Sequence, residues 1–594
     1  MVILLEFSNS KYKPNYTENI FINIDYTHFM VQYEGVYKDN LNIQGIYLTL
    51  IDESYAILSV NSFKLANYAD INELAKLINN RENKNDFYIV YIQPPELYTL
   101  QEISAIEASG VYLLDEQKNL GLTGKGVVVG IIDTGIDYLN EEFMDNEGNT
   151  RISFIWDQTI DTNLTKGSRV PFGALYTRDD INKAIVAERN GENPYDIVPS
   201  KDVIGHGTSM AGIVGARGKN PKIKGIAPEC EFAIIKLAQA VGFKSRNGYG
   251  ADRVMYGSPV IFSAISILEE YLKAQKNPLV ILLPLGTNSG NHKGEHMLDD
   301  YIQSITSNIG IAVVSGTGNE AIENGHVSGI IQNKDEEEVI DIIIAKEQKD
   351  FFVEVWVDLP NIAEISLISP SGQSTGFIQI ALNIETGYTF TFEKTKTVIY
   401  YYIPERYSGD ELIRVYFENI TPGIWRIALK LKLGEFATYN MWMMQKDLIW
   451  PGTRFSPSNP YGTVTIPGDS TFVITVAAYN QNNNNLLAYS GTAFKNDIED
   501  KIDFAAGGVN TLTVGLNNTV TTVNGTSLSA AIGAGACVLL FQWGIVDGNY
   551  PYMYTESIKT FLNRGTVRRK GEQYPNPHLG YGIINFYEIF DNMT

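Results

Sequence analysis

The 594-residue chain has only two cysteines, Cys230 and Cys537. Both lie in apolar surroundings, so a disulfide framework is excluded by count and both read as small core residues. Positive charge is scarce as well. Against 68 Asp and Glu stand 46 Lys and Arg, a net charge of −22, which disfavours nucleic acid and anionic membranes as partners. No run approaches the roughly 18 apolar residues of a membrane span. Met1–Phe7 is apolar but short, with neither a basic flank nor a cleavage site, so no secretory signal is read and synthesis in the cytoplasm is expected. Internal repeats are lacking. No clear acidic loop points to calcium, which is left open, and no cofactor is expected to be required.

What is present is an ordinary folded composition, 44% hydrophobic and 19% charged. At this length one core does not suffice, and about three domains are expected. Candidate chemistry begins at Asn524-Gly525-Thr526-Ser527-Leu528-Ser529-Ala530-Ala531, which opens an apolar run ending near Gln542-Trp543-Gly544. The run reads as a fully buried helix, with Gly533, Ala534, Gly535 and Ala536 small enough for close packing. Ser527, in its first turn, has two readings. It is a helix cap, or a nucleophile whose oxyanion is held at a helix N-terminus. The second needs a base, an acid to orient it and another oxyanion donor.

Candidates for all three occur. Gly126-Val127-Val128-Val129-Gly130-Ile131-Ile132-Asp133 reads as a strand buried on both faces, the parallel-sheet pattern. It ends in Asp133, and the carboxyl ends of such strands carry ligands and chemistry. Of six histidines, His206 alone has glycine on both sides, letting backbone and substrate approach the ring. Val313-Val314-Ser315-Gly316-Thr317-Gly318-Asn319 ends a strand in an asparagine whose amide suits an oxyanion. Each alone has a plain alternative: a turn aspartate, a structural histidine, a loop asparagine.

Together they run in the order Asp133, His206, Asn319, Ser527, the Asp…His…Ser order of subtilisin. Ile132-Asp133-Thr134-Gly135, His206-Gly207-Thr208, Gly318-Asn319 and Gly525-Thr526-Ser527 resemble the signature motifs of subtilisin-like serine proteases, the subtilase family. The resemblance runs from about residue 97 to the C-terminus, with one interruption. It implies an α/β fold around a doubly wound, mainly parallel sheet. It implies a catalytic triad of Asp133, His206 and Ser527, an oxyanion hole completed by Asn319, and a protein or peptide substrate. Leu285-Gly286-Thr287 resembles the segment that pairs with substrate backbone and walls the primary specificity pocket, where Gly316 is also placed. Pro284 and Thr287 depart from the small residues usual there.

Residues 1–96 read as a small α+β unit, with strands Ile20–Tyr26, Ile43–Ile51, Tyr55–Val60 and Phe87–Ile92 and a helix Asp70–Asn79. By the resemblance this unit is the propeptide, chaperone and inhibitor of the enzyme. Gln93-Pro94-Pro95 breaks the chain, and Thr99-Leu100-Gln101-Glu102 reads as a capping box opening a helix Ile103–Ser109. Self-cleavage is expected between Gln93 and Leu100. Residues 97–329 form the first part of the catalytic domain, with strands Phe232–Leu237, Leu279–Leu283 and Ile311–Val314 and helices Ile261–Lys276 and Leu298–Asn308. Residues 145–200 read as an irregular polar excursion.

Residues 330–450 alternate with period two, as in Trp425, Ile427, Leu429 and Leu431 against Arg426, Lys430 and Lys432. They are expected to form an inserted all-β sandwich. Residues 451–594 complete the catalytic domain, with strand Phe472–Tyr479, a hairpin loop at Gln481–Asn485 and a loop at Ala505–Val509. The insert, together with Tyr574-Pro575-Asn576-Pro577-His578-Leu579-Gly580-Tyr581-Gly582, resembles the clostridial Csp-type subtilases of spore germination. That implies a jelly-roll insert, a spore-associated protein, and activation of a cortex-hydrolase precursor. Two alternatives remain: a catalytically silent subtilase with a regulatory or scaffold role, and a latent one whose cut propeptide stays bound.

Overall fold

In the computed structural model the described residues are 19–36, 45–62, 75–76, 78–79, 87–100, 109, 120–161, 170, 172–242, 253–334, 336–380, 385–495 and 501–591. The main sheet is arranged around Val128–Asp133. From there, one side holds Glu231–Lys236, Ile152–Asp157 and Ala174–Thr177. The other holds Leu279–Leu282, Ile311–Gly316, Ile474–Asn480, Phe504–Gly507 and Ile583–Ile584. All neighbours from Ile152–Asp157 across to Ile583–Ile584 are parallel. Strand order therefore reverses beside Val128–Asp133, and the crevice at the carboxyl end of such a reversal is where open α/β sheets place ligands.

Both faces are covered, which is why the strand sequences are apolar without alternation. Val129 and Ile131 join a core with helices His206–Gly215 and Thr526–Phe541. Val128 and Ile132 face the opposite way, into a core with helices Ser258–Gln275 and Met297–Thr306. Continued to Val546, the helix that starts at Thr526 is by length and composition alone apolar enough to cross a membrane, but 83% of its most apolar window is buried within the protein, as in a core helix.

The polar excursion expected over 145–200 is instead structured. Ile152–Asp157 is a fully buried strand of the main sheet, and Arg178–Arg189 is a helix with a Thr177–Asp180 capping box. Polar flanks mask a short apolar run, Ile152-Ser153-Phe154-Ile155-Trp156. Of the Ala505–Val509 loop, the first three residues close a buried strand, Phe504–Gly507. The asparagine-rich stretch does turn a hairpin, between Ile474–Asn480 and Asn485–Leu486.

Near the N-terminus, Ile46–Leu50, Tyr55–Asn61, Tyr26–Gly35 and Phe87–Gln93 form an antiparallel sheet in that order. The expected strand Ile20–Tyr26 is a 3-10 turn at Ile20–Ile22, capped by Asn19, before the strand that begins at Tyr26. Of the helix Asp70–Asn79, residues 75, 76, 78 and 79 are described and helical; the other six lie outside the described residues. Residues 103–108 of the helix Ile103–Ser109 also lie outside them. Thr99, where the capping box is expected to begin, lies in a strand, Leu97–Leu100, and Gln101 and Glu102 lie outside the described residues.

The insert forms two antiparallel sheets. One runs His326–Ile331, Ala437–Met443, Phe351–Val357, Glu411–Glu418, Lys396–Tyr402, Thr386–Thr389; the other Ile362–Ile368, Gly423–Leu433, Glu337–Ile344, Arg454–Ser456. Trp425, Ile427, Leu429 and Leu431 are buried between them, as the alternation requires.

Candidate active site

Asp133 ends the central strand fully buried, and Thr134 N donates to its Oδ1 at 2.6 Å. His206 Nδ1 lies 2.7 Å from Asp133 Oδ2 and 2.9 Å from Oδ1. A carboxylate only accepts, so Nδ1 carries the proton and the ring presents Nε2 as a base. The surrounding backbone fixes this pair. Gly205, at φ +92°, turns the chain into the helix that His206 opens. A Cβ on Gly207 would collide with the Gly135 carbonyl, so only glycine lets this helix start lie against the loop after Asp133. Gly207 N donates to Thr134 Oγ1, and Asp137 N donates to Thr208 Oγ1, both at 2.9 Å. Thr208 Oγ1 in turn donates to Asp202 Oδ2 at 2.8 Å.

Ser527 is not the helix cap. Gly525 caps the helix at φ +119° and ψ −179°, a conformation suited to glycine, and Ser527 is the second helical residue. Every residue of Thr526–Phe541 is buried, with Gly535 close against Ile226. The Ser527 hydroxyl donates to the Pro284 carbonyl at 3.3 Å. A hydroxyl has one proton, so donating it to His206 means giving up the Pro284 carbonyl. Hydrogen bonds of this kind commonly tighten only around a bound substrate. Asn319 Oδ1 accepts from Thr526 N and Oγ1, both at 3.4 Å. That holds the oxygen end of its amide on the helix start and leaves the Nδ2 hydrogens for an anion.

The cleft beside these groups contains a piece of the chain itself. Leu97–Leu100 runs antiparallel to Leu285–Gly286 on one side and to Tyr256–Gly257 on the other. Leu285 and Gly286 thus present their backbone to an extended segment of the chain itself. Thr287 does not join them, because it pairs in both directions with Ile466, at 3.1 and 3.0 Å. Gly316 ends its strand paired with Val476. Glu320 lies buried next to Asn319 and accepts from Asn288 Nδ2 at 3.3 Å and Lys446 N at 3.0 Å. Burial pushes its carboxyl up to about 7, against the pull of Lys446. Among the described residues no group of three or more His, Cys, Asp or Glu side chains is arranged to hold a metal ion.

Sequence reasoning quoted Thr134, Thr208 and Thr526 inside the motifs but gave them no role. Their hydroxyls prove to be the ties between the loops. By the resemblance a propeptide lies across the active site; what the sequence does not show is that Leu97–Leu100 is a strand, because the local Thr-x-x-Glu pattern reads as a helix start.

The sequence profile described as "Subtilase family" matches residues 124–352 and 455–582. The chain belongs to the subtilase family. It is similar to the CspB protease of Clostridium perfringens, with a TM-score of 0.70 and 31% identity, over 82% of this chain and 98% of that one. PII-type proteinases of Lacticaseibacillus paracasei and Lactococcus lactis subsp. cremoris are 27% and 26% identical over 226 residues. Those matches span 36% of this subtilase and 10% of each proteinase. The family gap between residues 352 and 455 falls within the two-sheet insert.

Proposed function

We propose that this subtilase is a serine endopeptidase that transfers an acyl group from a peptide to Ser527 and then to water, and that its first substrate is its own chain. His206 Nε2 takes the Ser527 proton as Oγ attacks the carbonyl carbon, then gives it to the departing amine. Asp133 holds the ring in the tautomer required and stabilises its cation. Asn319 Nδ2 and the Ser527 N–H bind the anionic oxygen. A water molecule, deprotonated by the same ring, then releases the acid.

The observation that carries this reading is the strand in the cleft. Leu100 pairs with Leu285, and the residue before Leu285 is Pro284, whose carbonyl accepts the Ser527 hydroxyl. Gln101 follows Leu100 in sequence and lies outside the described residues, so carrying the antiparallel register one position further, to set it opposite Pro284, is part of this proposal. The bond offered to Ser527 is then Gln101–Glu102, just beyond the Gln93–Leu100 interval read from sequence. Mass spectrometry of the purified protein tests it: wild type yields a new N-terminus at Glu102, and Ser527→Ala remains 594 residues long. An uncut wild-type chain would refute self-processing.

The filled cleft also favours a latent state, in which the severed propeptide stays as inhibitor. Labelling with a fluorophosphonate before and after its digestion separates that state from a silent site. A role in germination, activating a cortex-hydrolase precursor, rests on the likeness to the Csp-type subtilases. Cleavage of such a precursor by the processed protein, and not by Ser527→Ala, is its test.

A further inference from the structure

The inserted sandwich reaches into the cleft. Gln445, 2% exposed, follows the strand Ala437–Met443 and lies just before the turn Lys446–Leu448. Its Nε2 donates to the Leu97 carbonyl at 2.6 Å and to the Gly286 carbonyl at 3.4 Å. One amide group therefore joins the strand lying in the cleft to a strand that walls it. The side chain of Leu97 goes the same way. Leu97, Met255 and Met444 belong to one continuous apolar cluster with the core of the sandwich. Leu97 and Met444 also border a cavity of about 410 Å³, walled by Phe352 and Tyr416 of the sandwich and by Phe21, Tyr26 and His28 of the N-terminal unit.

From this we infer that the insert is part of the substrate-binding cleft, and that it builds a subsite for an apolar residue five positions before the cut. The inference rests on the proteolytic reading and its Gln101–Glu102 bond, which makes Leu97 that fifth residue. Gln445 contributes a contact to backbone and so accepts any sequence. The apolar cluster that Leu97 shares with Met255 and Met444 contributes selectivity, because an apolar side chain there leaves water while a charged one loses its hydration. In the chain's own processing, with the N-terminal unit in place, the cavity beyond Leu97 gives room for side chains larger than leucine.

The test is made with the full chain after self-processing and digestion of its propeptide. Three acetylated peptides are compared by kcat/KM: residues 97–106, residues 98–106, and residues 97–106 with Leu97→Asp. Acetylation of the shorter peptide restores a carbonyl where that of Leu97 stands, so the first two differ only in what lies beyond it. The longer natural peptide is expected to be cut about 10–100-fold faster than the other two. Gln445→Ala is expected to slow the two natural peptides by a similar factor, about 5–10-fold.

Equal kcat/KM for all three peptides overturns the subsite while leaving proteolysis standing. An unchanged rate in Gln445→Ala overturns the backbone contact. Should no peptide be cut, the same comparison is read in the chain's own processing rate. There Leu97→Asp is expected to slow processing at least tenfold, with Leu97→Phe staying within about threefold of wild type. Equal rates for the two overturn the subsite. A wild-type chain that cuts neither itself nor any peptide overturns the proteolytic reading, and the subsite with it.

Discussion

The two halves of the candidate site are held with different firmness. Asp133, closing a strand, and His206, opening a helix, meet at 2.7 and 2.9 Å with both side chains fully buried, and Thr134, Gly207 and Thr208 tie the two elements together. The other half is looser: Ser527 reaches Pro284 at 3.3 Å and Thr526 reaches Asn319 at 3.4 Å. The tight half holds a tautomer that has to be right before anything happens. The loose half holds the groups that must turn toward a substrate, and those gain their proper partners only when charge develops. In the mechanism proposed, the tautomer of the base is thus fixed by the fold, while the Ser527 hydroxyl is held by one long bond that it can exchange.

Substitutions can break or sharpen that contrast. The largest effect is expected from Ser527→Ala, which removes the bond-forming atom; loss of the serine in subtilisin costs about 10⁶ in turnover. Residual cutting within tenfold of wild type, measured in single-turnover assays, would show that another group attacks. Next is Asp133→Asn, expected to lower kcat by about 10⁴ with little change in melting temperature, because the amide supports the wrong tautomer. If the loss proves smaller than that of Asn319→Ala, the firm half is not the one that matters more.

Asn319→Ala is expected to cost roughly 10²–10³ in kcat with KM nearly unchanged, since an oxyanion donor acts in the transition state. Thr526→Val sharpens the point by removing one of the two bonds to Asn319 Oδ1, with an expected cost of about 2–5-fold.

The smallest effect concerns pH. Burial leaves Glu320 with a pKa of about 7, raised from 4.5, so between those values the folded chain holds a proton that the unfolded chain has released. Its contribution to stability is thus full below about 4.5 and is lost as pH rises through 7. Glu320→Gln in the Ser527→Ala background is expected to flatten the fall in stability between pH 5 and 8 by about 1–3 kcal/mol. Parallel melting curves for the two chains across that range would contradict it.

The buried strands and the four candidate residues were legible because chemistry and packing write themselves locally: a run such as Val127 to Ile132 has nowhere to go but inside a sheet. Ile152–Asp157 was not, since six residues between polar flanks carry too little periodicity to stand out. Leu97–Leu100 was hidden for another reason. Its conformation is set by backbone pairing with strands around 256 and 285, which outweighs the helix-start pattern of Thr99 and Glu102. Gln445 gave no signal at all, because its partners are carbonyl oxygens nearly 350 and 160 positions away. Ser527 could be misread as a cap until Gly525 was seen to do that work.

A peptide hydrogen-bonded along both edges, as Leu97–Leu100 is, must be straight and must have no other partners. Once the cleft is vacated, whatever enters has to bring a stretch of bare, uncommitted backbone. Loops, linkers and unravelled ends of other proteins meet that demand, and helices or strands already paired elsewhere do not. The vulnerability of a target would then depend on where its fold comes undone at least as much as on the residues it displays.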